Sequence, residues 1–576
     1  MSALPPHLAL PIRRLVRRVR PLLEELRDRR ARVRSAREAT EFVSAHPELA
    51  ADLSVLERPD GKRVLVVSLS DDPEQVRLEA LLIKALQVRG ARVSVLTFRS
   101  SRRGVRELRG LGIRRLVFYE DHAPDRRDWA AEAARLAAGC RTVQDFKELE
   151  YRGARVGRHG LSTVVRARHE PRIDLEDPDV RAAIARTIAY AIEGVHTGEQ
   201  VLDAARPDLL LMIERGYAGF GSIFDLALQR GIPVVQFQAA HRDDAFLMKR
   251  YTLANRELHP RSLDDLTWRR LLERGWDDDR ERELEAELEA REEGKWFMSR
   301  RIRHAARRRP PEELRRDLGL DRERKVAVLF SHVLWDASMF YGRDVHADQG
   351  QWFAETVRLA AADERVQWLV KLHPALFWKL RADGVRAEPA ELAMIRESVG
   401  GLPPHMRLLR PDDDVANADL FELVDAGVTI RGTVGLELPA LGVPVLTAGT
   451  TDYGGRGFTV DAGSIDEYEA NVRGIAALPR LTPEQTRLAR LYAYGVFCVR
   501  PWRFDSFRLE YLPLVESGDT LLHRLRWAIS TPAELKAADD LARFAAWVLD
   551  SDEADYTRAI SSRQPNVGAA SSASST

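Results

Sequence analysis

The segment "GVTIRGTVGLELPALGVPVLTAGTTDYGGRGFTVD", residues 427–461, carries the pattern that decides the fold of the second half of the chain. It predicts a strand over 427–432, a glycine turn that opens a short helix, and a second strand over 443–449. A strand, a helix and a second strand in this order form a right-handed βαβ unit of a parallel sheet. One acid, Glu437, lies within the apolar helix, and a glycine-rich loop follows the second strand.

The same alternation of short apolar strands and helical segments occurs along most of the chain. Strands are predicted over 63–70, 92–98, 114–120, 208–213 and 232–238, and again over 325–331 and 366–374. The sequence therefore predicts an α/β fold with two doubly wound Rossmann-like domains. Ligands of such domains bind beyond the carboxyl ends of the strands.

Shifts in composition predict the domain boundaries. We expect an N-terminal basic helical extension (1–58), a first Rossmann-like domain (59–262), a charged helical linker (263–320), a second Rossmann-like domain (321–500), C-terminal helices that pack back on the first domain (501–560) and a disordered tail (561–576). The linker contains an acidic helix over 277–295 and a basic connector over 300–317. We interpret both as solvated segments rather than binding sites.

Composition excludes several classes of protein. The 576 residues carry a net charge of +1, which does not favour a nucleic-acid partner. Two cysteines, Cys140 and Cys498, cannot form a disulfide framework and suit a reducing compartment. No apolar run reaches the roughly 20 residues that a membrane-spanning helix needs, so we expect a cytoplasmic protein. Metal-ligand spacings, a P-loop and a Gly-x-Gly-x-x-Gly motif are all absent, so we expect no metal and no cofactor.

The N-terminal segment is strongly basic and leaves two interpretations open. Residues 1–37 contain eleven arginines and three acids, and apolar residues between Ile12 and Leu26 recur at helical intervals. A basic amphipathic helix over 12–37 can lie on the anionic inner face of a membrane. Alternatively, the helix packs on its own protein and keeps a solvated arginine face.

Candidate ligand-binding residues follow two of the predicted strands in the second half. His373 stands where "KLHP" ends a strand, where its imidazole can donate to a phosphate oxygen and Lys371 can add charge. Backbone N–H groups of the turn at Thr433–Gly435 open a helix and suit an anion. Glu437, one turn into that helix, can accept hydrogen bonds from ribose hydroxyl groups; its ordinary alternative is a solvated helix glutamate.

These residues resemble the donor-site region of capsule polysaccharide biosynthesis proteins, most closely their Kdo-transferase branch, which has a GT-B-like fold. The resemblance covers roughly residues 325–465 and is carried by Lys371, His373, Pro374, Thr433, Gly435, Glu437, Leu441, Gly442, Pro444, Val445, Gly449, Tyr453, Gly457, Phe458, Thr459 and Asp461. It implies a glycosyltransferase of surface polysaccharide biosynthesis that uses a nucleotide-sugar donor, CMP-Kdo-like or other.

The resemblance also implies roles for individual residues. His373 and the Thr433–Gly435 turn would hold the donor phosphate, and Glu437 would hold the ribose. The 450–459 loop, with Tyr453 and Arg456, would cover the sugar.

On the acceptor side the candidates follow strands of the first half. Glu214 follows the strand over 208–213, and His241 and Asp243 follow the strand over 232–238. Each is a candidate catalytic base for a hydroxyl group of a glycan or lipid-linked glycan acceptor, and each has loop capping as its alternative role.

A further loop, "SHVLWDASMFYGRD" over 331–344, mixes aromatic and acidic residues without a helical period. We expect it to line the cleft between the domains with Ser331, His332, Trp335, Asp336 and Tyr341. The alternative is an interface loop that Trp335 and Phe340 pack.

Three other functions fit the same plan of two Rossmann-like domains. A nucleotide-sugar 2-epimerase would convert its donor without an acceptor, and a CDP-polyol phosphotransferase would release CMP. A non-catalytic scaffold would bind ligand without turnover.

Overall fold

The structure is a computed structural model that describes residues 36–124, 129–292, 296, 308–511 and 523–558. Residues 12–35 of the basic segment and the tail over 561–576 lie outside this range. The strands are β1 (Arg63–Val67), β2 (Arg92–Thr97), β3 (Leu116–Phe118), β4 (Leu209–Met212), β5 (Val234–Ala239), β6 (Ala245–Tyr251), β7 (Val326–Phe330), β8 (Gln367–Lys371), β9 (Met406–Leu409), β10 (Ala426–Thr429), β11 (Val445–Ala448), β12 (Val460–Ala462), β13 (Trp502–Arg503), β14 (Phe507–Tyr511) and β15 (His523–Trp527).

The helices lie mainly between the parallel strands. They are α1 (Pro73–Val88), α2 (Arg102–Gly110), α3 (Tyr119–His122), α4 (Ala130–Ala138), α5 (Val143–Glu148), α6 (Val156–Arg168), α7 (Pro178–Ala205), α8 (Phe220–Gln229), α9 (Asp265–Arg274), α10 (Asp278–Glu292), α11 (Pro311–Asp317), α12 (Gln349–Ala361), α13 (Leu376–Ala382), α14 (Ala390–Val399), α15 (Asn417–Leu423), α16 (Val434–Ala440), α17 (Ile465–Arg473), α18 (Pro483–Tyr494), α19 (Pro532–Ala537) and α20 (Asp539–Asp550). A π-helical turn, Gly495–Val499, extends α18.

The second half forms a six-stranded parallel sheet in the order β12-β11-β10-β7-β8-β9. Numbered within the domain, this is the Rossmann order 3-2-1-4-5-6. Strands β7, β8, β10 and β11 are buried along their full length, as expected for a parallel sheet covered on both faces. The predicted fold class, two doubly wound α/β domains, is confirmed for this half.

The first half repeats this order and adds antiparallel strands at one edge. Its seven-stranded sheet runs β13-β6-β5-β4-β1-β2-β3, with β1 to β5 parallel. Strand β6 returns antiparallel to β5, and β13 pairs antiparallel with β6. Strand β6 was not predicted from the sequence: the residues after β5 form a hairpin turn over 240–244 and return to the sheet.

The two halves share one apolar core. A single cluster of buried side chains extends from Leu65 and Phe146 in the first half to Trp335 and Trp352 in the second. The interface between the halves is therefore packed and apolar over part of its area.

The C-terminal segment returns to the first half. Strand β13 joins the first sheet, α20 packs on α1, and the hairpin of β14 and β15 also contacts α1. Asp555, beyond α20, is fully buried and forms an ion pair with Lys249 of β6 and with Arg500, whose Nη1 lies 3.2 Å from its carboxylate. This carboxylate also accepts a hydrogen bond of 2.8 Å from the backbone of Asp264.

Helix α10 of the linker packs against both halves. Its residues Leu284, Glu287 and Ala290 are buried on one face. The interpretation of segment 277–295 as a solvated linker is therefore wrong for this face. Within the described part of the chain, no helix combines the length and the apolar character that crossing a membrane requires.

Replacement of Asp555 by Asn should strongly destabilise the protein. The change leaves the buried ammonium of Lys249 without its counter-ion, which costs about 3–5 kcal/mol in the free energy of unfolding. Urea titration followed by tryptophan fluorescence measures the effect. Glu553→Gln is the control, because Glu553 forms a solvent-exposed pair with Arg270 and should contribute about 0–1 kcal/mol. Equal stability of the two variants would contradict the role given to Asp555.

Candidate functional site

The strand order locates one crevice in each half. In a doubly wound sheet, the crevice opens where the order of the strands reverses, beyond their carboxyl ends. In the second half this point lies between β7 and β10, so the loop over 331–344 and the turn at Thr433 flank it. In the first half it lies between β1 and β4, next to Glu214.

His373 and His332 face each other at the carboxyl ends of β8 and β7. Their ring centroids are 6.0 Å apart. Nδ1 of His373 accepts a hydrogen bond of 3.1 Å from the backbone N–H of Ala375, so its proton resides on Nε2. Burial lowers the pKa of His373 to about 3 and that of His332 to about 4. Both rings are therefore neutral near pH 7, and His373 offers a hydrogen-bond donor rather than a positive charge.

Ser331 orients His373. Its hydroxyl oxygen accepts a hydrogen bond of 2.9 Å from the backbone N–H of His373. The contact joins the end of β7 to the end of β8 and fixes the backbone from which the imidazole extends.

Lys371 supplies the positive charge that His373 lacks. Its side chain is buried, with 7% of the residue exposed, and it forms no hydrogen bond or ion pair with a described residue. Burial lowers its pKa to about 8, Asp413 opposes this shift, and the charge of Arg291 adds to it. A buried ammonium group without a counter-ion is costly, so it favours a bound anion at this place.

Glu437 does not lie on a solvated helix face. It is 4% exposed, and its carboxylate forms an ion pair with Arg291 from helix α10. Neither carboxylate oxygen accepts a hydrogen bond of standard geometry from a described residue. The guanidinium of Arg291 also lies over Trp296, 5.4 Å from the ring centroid. The role of Glu437 in ribose binding stays a prediction. In this conformation the guanidinium group of Arg291 pairs with its carboxylate.

The turn before α16 is shaped by Tyr453. The hydroxyl group of this fully buried tyrosine donates a hydrogen bond of 2.9 Å to the carbonyl oxygen of Gly432. The N–H groups of Gly435, Leu436 and Glu437, in the first turn of α16, donate to the carbonyl oxygens of Gly432 and Thr433, whereas those of Thr433 and Val434 bond to no described residue. Only this first part of the turn can donate to an anion.

The loop over 450–459 is anchored at several points. Asp452 forms an ion pair with Arg261, and Gly455 donates a hydrogen bond of 2.7 Å to Asp461. Arg456 bonds to Asp265 at 2.9 Å and to the carbonyl oxygen of Leu263 at 3.2 Å. In this conformation Arg456 therefore joins the loop to the start of helix α9.

The loop over 331–344 packs between the halves. Trp335 is 1% exposed and contacts His169 and Arg166 of the first half. Tyr341 stacks at a tilt on His259, with 4.5 Å between the ring centroids. Phe340 lies against Gly216, where an added Cβ atom would meet its ring at 2.2 Å. The aromatic residues of this loop thus pack the domain interface, which was the alternative interpretation of the segment.

Asp336 and Glu214 are two acids at this interface. Burial would raise the pKa of Asp336, but the charge and hydrogen bond of Lys379 lower it to about 2. Its Oδ1 accepts a hydrogen bond of 3.2 Å from Tyr217. Burial raises the pKa of Glu214, although its carboxylate accepts hydrogen bonds from the backbone N–H groups of Arg215 and Gly216. Of the three candidate bases, Glu214 therefore adjoins the loop over 331–344 and has a raised pKa.

His241 and Asp243 lie in the hairpin turn between β5 and β6. His241 is packed against Trp296 and Phe497 and donates from Nε2 to Glu287 of α10 at 2.9 Å. Burial lowers its pKa. His241 thus contacts the linker helix, and the structure does not bring it together with Glu214.

Sequence reasoning missed three cations at this site. Arg431 donates to the carbonyl oxygens of Ser338 and Tyr341 and pairs with Asp344, so it holds the loop over 331–344 on β10. Arg291 covers Glu437, and Lys379 neutralises Asp336. The one available signal was position, since Arg431 lies near the end of the strand predicted over 427–432. The partners of all three cations are distant in sequence.

Comparison with known proteins gives distant similarities. No protein-family model matches the chain, and no curated protein sequence matches it. Among solved structures, the chain is similar to the β-Kdo 2,4 transferase of Thermosulfurimonas dismutans KpsC, with 14% identity, a TM-score of 0.29 and coverage of 49% of this chain and 78% of that one. The structural neighbours include Kdo transferases.

Two further neighbours cover more of the chain. One is the UDP-GlcNAc 2-epimerase from Neisseria meningitidis, with 14% identity, a TM-score of 0.26 and coverage of 75% of this chain and 96% of that one. The other is Anabaena Alr3699/HepE in complex with UDP-glucose, with 12% identity, a TM-score of 0.26 and coverage of 76% and 94%. The sheet topology of the chain itself establishes the fold.

Replacement of Gly435 by Ala should destabilise the first turn of α16. The added Cβ atom would lie 1.9 Å from the hydroxyl oxygen of Tyr453, which is fully buried. Such overpacking costs about 1–3 kcal/mol in the free energy of unfolding. Gly401→Ala is the control, because an added Cβ atom there meets nothing within 4 Å. A thermal melt in which both variants match the wild type would show that Tyr453 moves aside without cost.

Proposed function

We propose that the protein is a glycosyltransferase of surface polysaccharide biosynthesis that takes its sugar from a nucleotide-sugar donor. The observation that carries this proposal is the buried, unpaired ammonium group of Lys371 at the crevice of the second sheet, two residues before His373. The donor nucleotide binds in the second half, and a glycan or lipid-linked glycan acceptor binds in the first. This assignment of donor and acceptor to the two halves follows from the resemblance of the segment over 427–461 to the donor-site region of capsule polysaccharide biosynthesis proteins.

Each donor-site residue has a distinct task. Lys371 binds the phosphate through charge, and Nε2–H of the neutral His373 donates a hydrogen bond to a phosphate oxygen. The free N–H groups of Thr433 and Val434 add further donors. Glu437 binds the ribose hydroxyl groups. In the transition state, Lys371 and His373 stabilise the negative charge that develops on the departing phosphate.

Glu214 is the base that accepts the proton of the acceptor hydroxyl group. Burial raises the pKa of Glu214 toward neutral pH, and a general base is most effective when its pKa lies near the operating pH. It lies at the crevice of the first sheet, next to the loop over 331–344, so a hydroxyl group bound there can approach a donor in the second half. Asp336 stays ionised beside Lys379, so it positions that cation and does not take the proton.

A ligand panel tests the donor assignment. CMP-, UDP-, GDP- and CDP-sugars are added to the wild type, to Glu437→Gln and to Glu214→Gln, and thermal stability is measured. We expect one nucleotide class to stabilise the wild type, by about 2.7 kcal/mol at 100 times its Kd. Glu437→Gln should bind that class about tenfold more weakly because a ribose hydrogen bond is weakened, and Glu214→Gln should bind it normally.

Two outcomes of the panel would overturn the proposal. If none of the donors stabilises the wild type, the donor site is assigned wrongly. If the stabilising donor is isomerised in the absence of an acceptor, as read by nuclear magnetic resonance of the sugar, the chain is an epimerase.

The affinity for the nucleotide should fall with rising pH. Lys371 is charged below its pKa of about 8 and binds a phosphate; above that value the free protein must first take up a proton. We therefore expect the Kd to rise about tenfold between pH 7 and pH 9. Isothermal titration at several pH values measures this change. Lys371→Met should bind weakly at every pH without this slope, and a slope that persists in this variant would assign the titration to another group.

A further inference from the structure

Helix α10 contacts both halves through two side chains one turn apart. Glu287 accepts hydrogen bonds from Nε2 of His241 at 2.9 Å and from Arg242 at 3.3 Å, both in the hairpin turn of the first half. Arg291, four residues later, forms the ion pair with Glu437 of the second half. Because residues i and i+4 lie on the same face of a helix, one face of α10 joins this hairpin to helix α16.

The ion pair covers a carboxylate that the donor site needs. The side chains of Arg291 and Glu437 are 15% and 3% exposed. If one of them moves away, little water can reach the other to solvate its charge. Removal of one partner from a buried pair leaves an uncompensated charge at a cost of about 3–5 kcal/mol. Arg291 therefore releases Glu437 only where another anion takes the place of the carboxylate.

A second cation lies close to this pair. Lys371 is buried without a hydrogen bond or ion pair among the described residues, and the charge of Arg291 acts on it. The other charge that acts on Lys371 is Asp413, an exposed residue of the loop after β9. Two cations thus act on each other here, and of these Arg291 is paired with a buried carboxylate, so an anion with two negative charges would balance both.

We propose that Arg291 binds the phosphate of the donor nucleotide, exchanging the Glu437 carboxylate for phosphate oxygens and so uncovering Glu437 for the ribose. This inference rests on the proposed function and adds a phosphate-binding residue to it. A guanidinium group suits both partners, because its planar fork matches carboxylate and phosphate equally well. In the structure described here the carboxylate of Glu437 stands in the place of the phosphate.

The exchange links donor binding to the first half. Arg291 and Glu287 belong to one rigid helix, and Trp296, beside Arg291, donates from Nε1 to the backbone oxygen of Glu287 at 3.2 Å. A shift of Arg291 toward the phosphate therefore acts on the contact between Glu287 and His241. His241 thus joins the linker helix to the first half.

Isothermal titration with a nucleotide and its nucleoside tests the role of Arg291. The probes are CMP with cytidine and UDP with uridine, on the wild type, Arg291→Lys and Arg291→Gln. Arg291→Gln should raise the Kd of the bound nucleotide at least tenfold and leave that of the nucleoside unchanged or lower, because Glu437 is then uncovered. Arg291→Lys should lie between. The matched control is Arg282→Gln on the same helix, since Arg282 is exposed and pairs only with Asp279 among the described residues; its affinities should equal those of the wild type.

A comparison of Glu437→Gln with the double variant Arg291→Gln/Glu437→Gln avoids the instability that an unpaired buried carboxylate would cause. Arg291→Gln alone leaves Glu437 buried and unpaired, whereas the double variant Arg291→Gln/Glu437→Gln has a neutral pair. Comparison of this double variant with Glu437→Gln isolates Arg291, because the ion pair is absent in both. The ratio of nucleoside Kd to nucleotide Kd should fall at least tenfold in the double variant.

The failures of the two proposals are distinguishable. If the wild type binds neither CMP nor UDP, the proposed function fails. If the wild type binds a nucleotide but Arg291→Gln changes nucleotide and nucleoside equally, or tightens the nucleotide, Arg291 does not bind the phosphate and only this inference fails.

Discussion

The carboxylate of Asp344 is the contact on which the arrangement of the site depends. It lies between Arg431, at 2.6 Å, and Lys147 of the first half, at 3.2 Å, and all three side chains are 5–6% exposed. Separation of a buried ion pair leaves an uncompensated charge at a cost of about 3–5 kcal/mol, so these groups stay together. Arg431 follows β10 and Asp344 ends the loop after β7, so the triad joins the two flanks of the crevice and attaches both to the first half.

Burial sets the chemistry of the crevice more than the choice of residue does. The two histidines at its edge are neutral because charged imidazole is poorly solvated there, and Lys371 has its pKa lowered to about 8 for the same reason. The neutral His373 can offer a hydrogen-bond donor, as expected from the sequence, and the nearby positive charge is that of Lys371. A neutral donor and one poorly solvated cation together suit a phosphate that must be both bound and released.

The linker contributes to the site, although its sequence has the character of a solvated helix. Helix α10 is rich in Asp, Glu and Arg, and these charges cover its exposed faces. The helical spacing of Leu284, Glu287 and Arg291, three and then four residues apart, turns three side chains toward the protein, and two of these are charged. A charged residue on a packed face is uncommon and needs a partner, which explains why Glu287 and Arg291 both pair across the interface.

The sequence by itself determined the alternation of strands and helices, the two Rossmann-like domains and the position of His373, Lys371 and Glu437 near strand ends. These features follow from local periodicity and turn chemistry, which are readable within about ten residues. Only the tertiary structure decided the strand β6, the neutral state of His373 and the pairs Glu437–Arg291 and Asp344–Lys147. Pairing of this kind joins residues separated by 146 and 197 positions in the sequence, and the pKa of a group depends on burial that such distant contacts create.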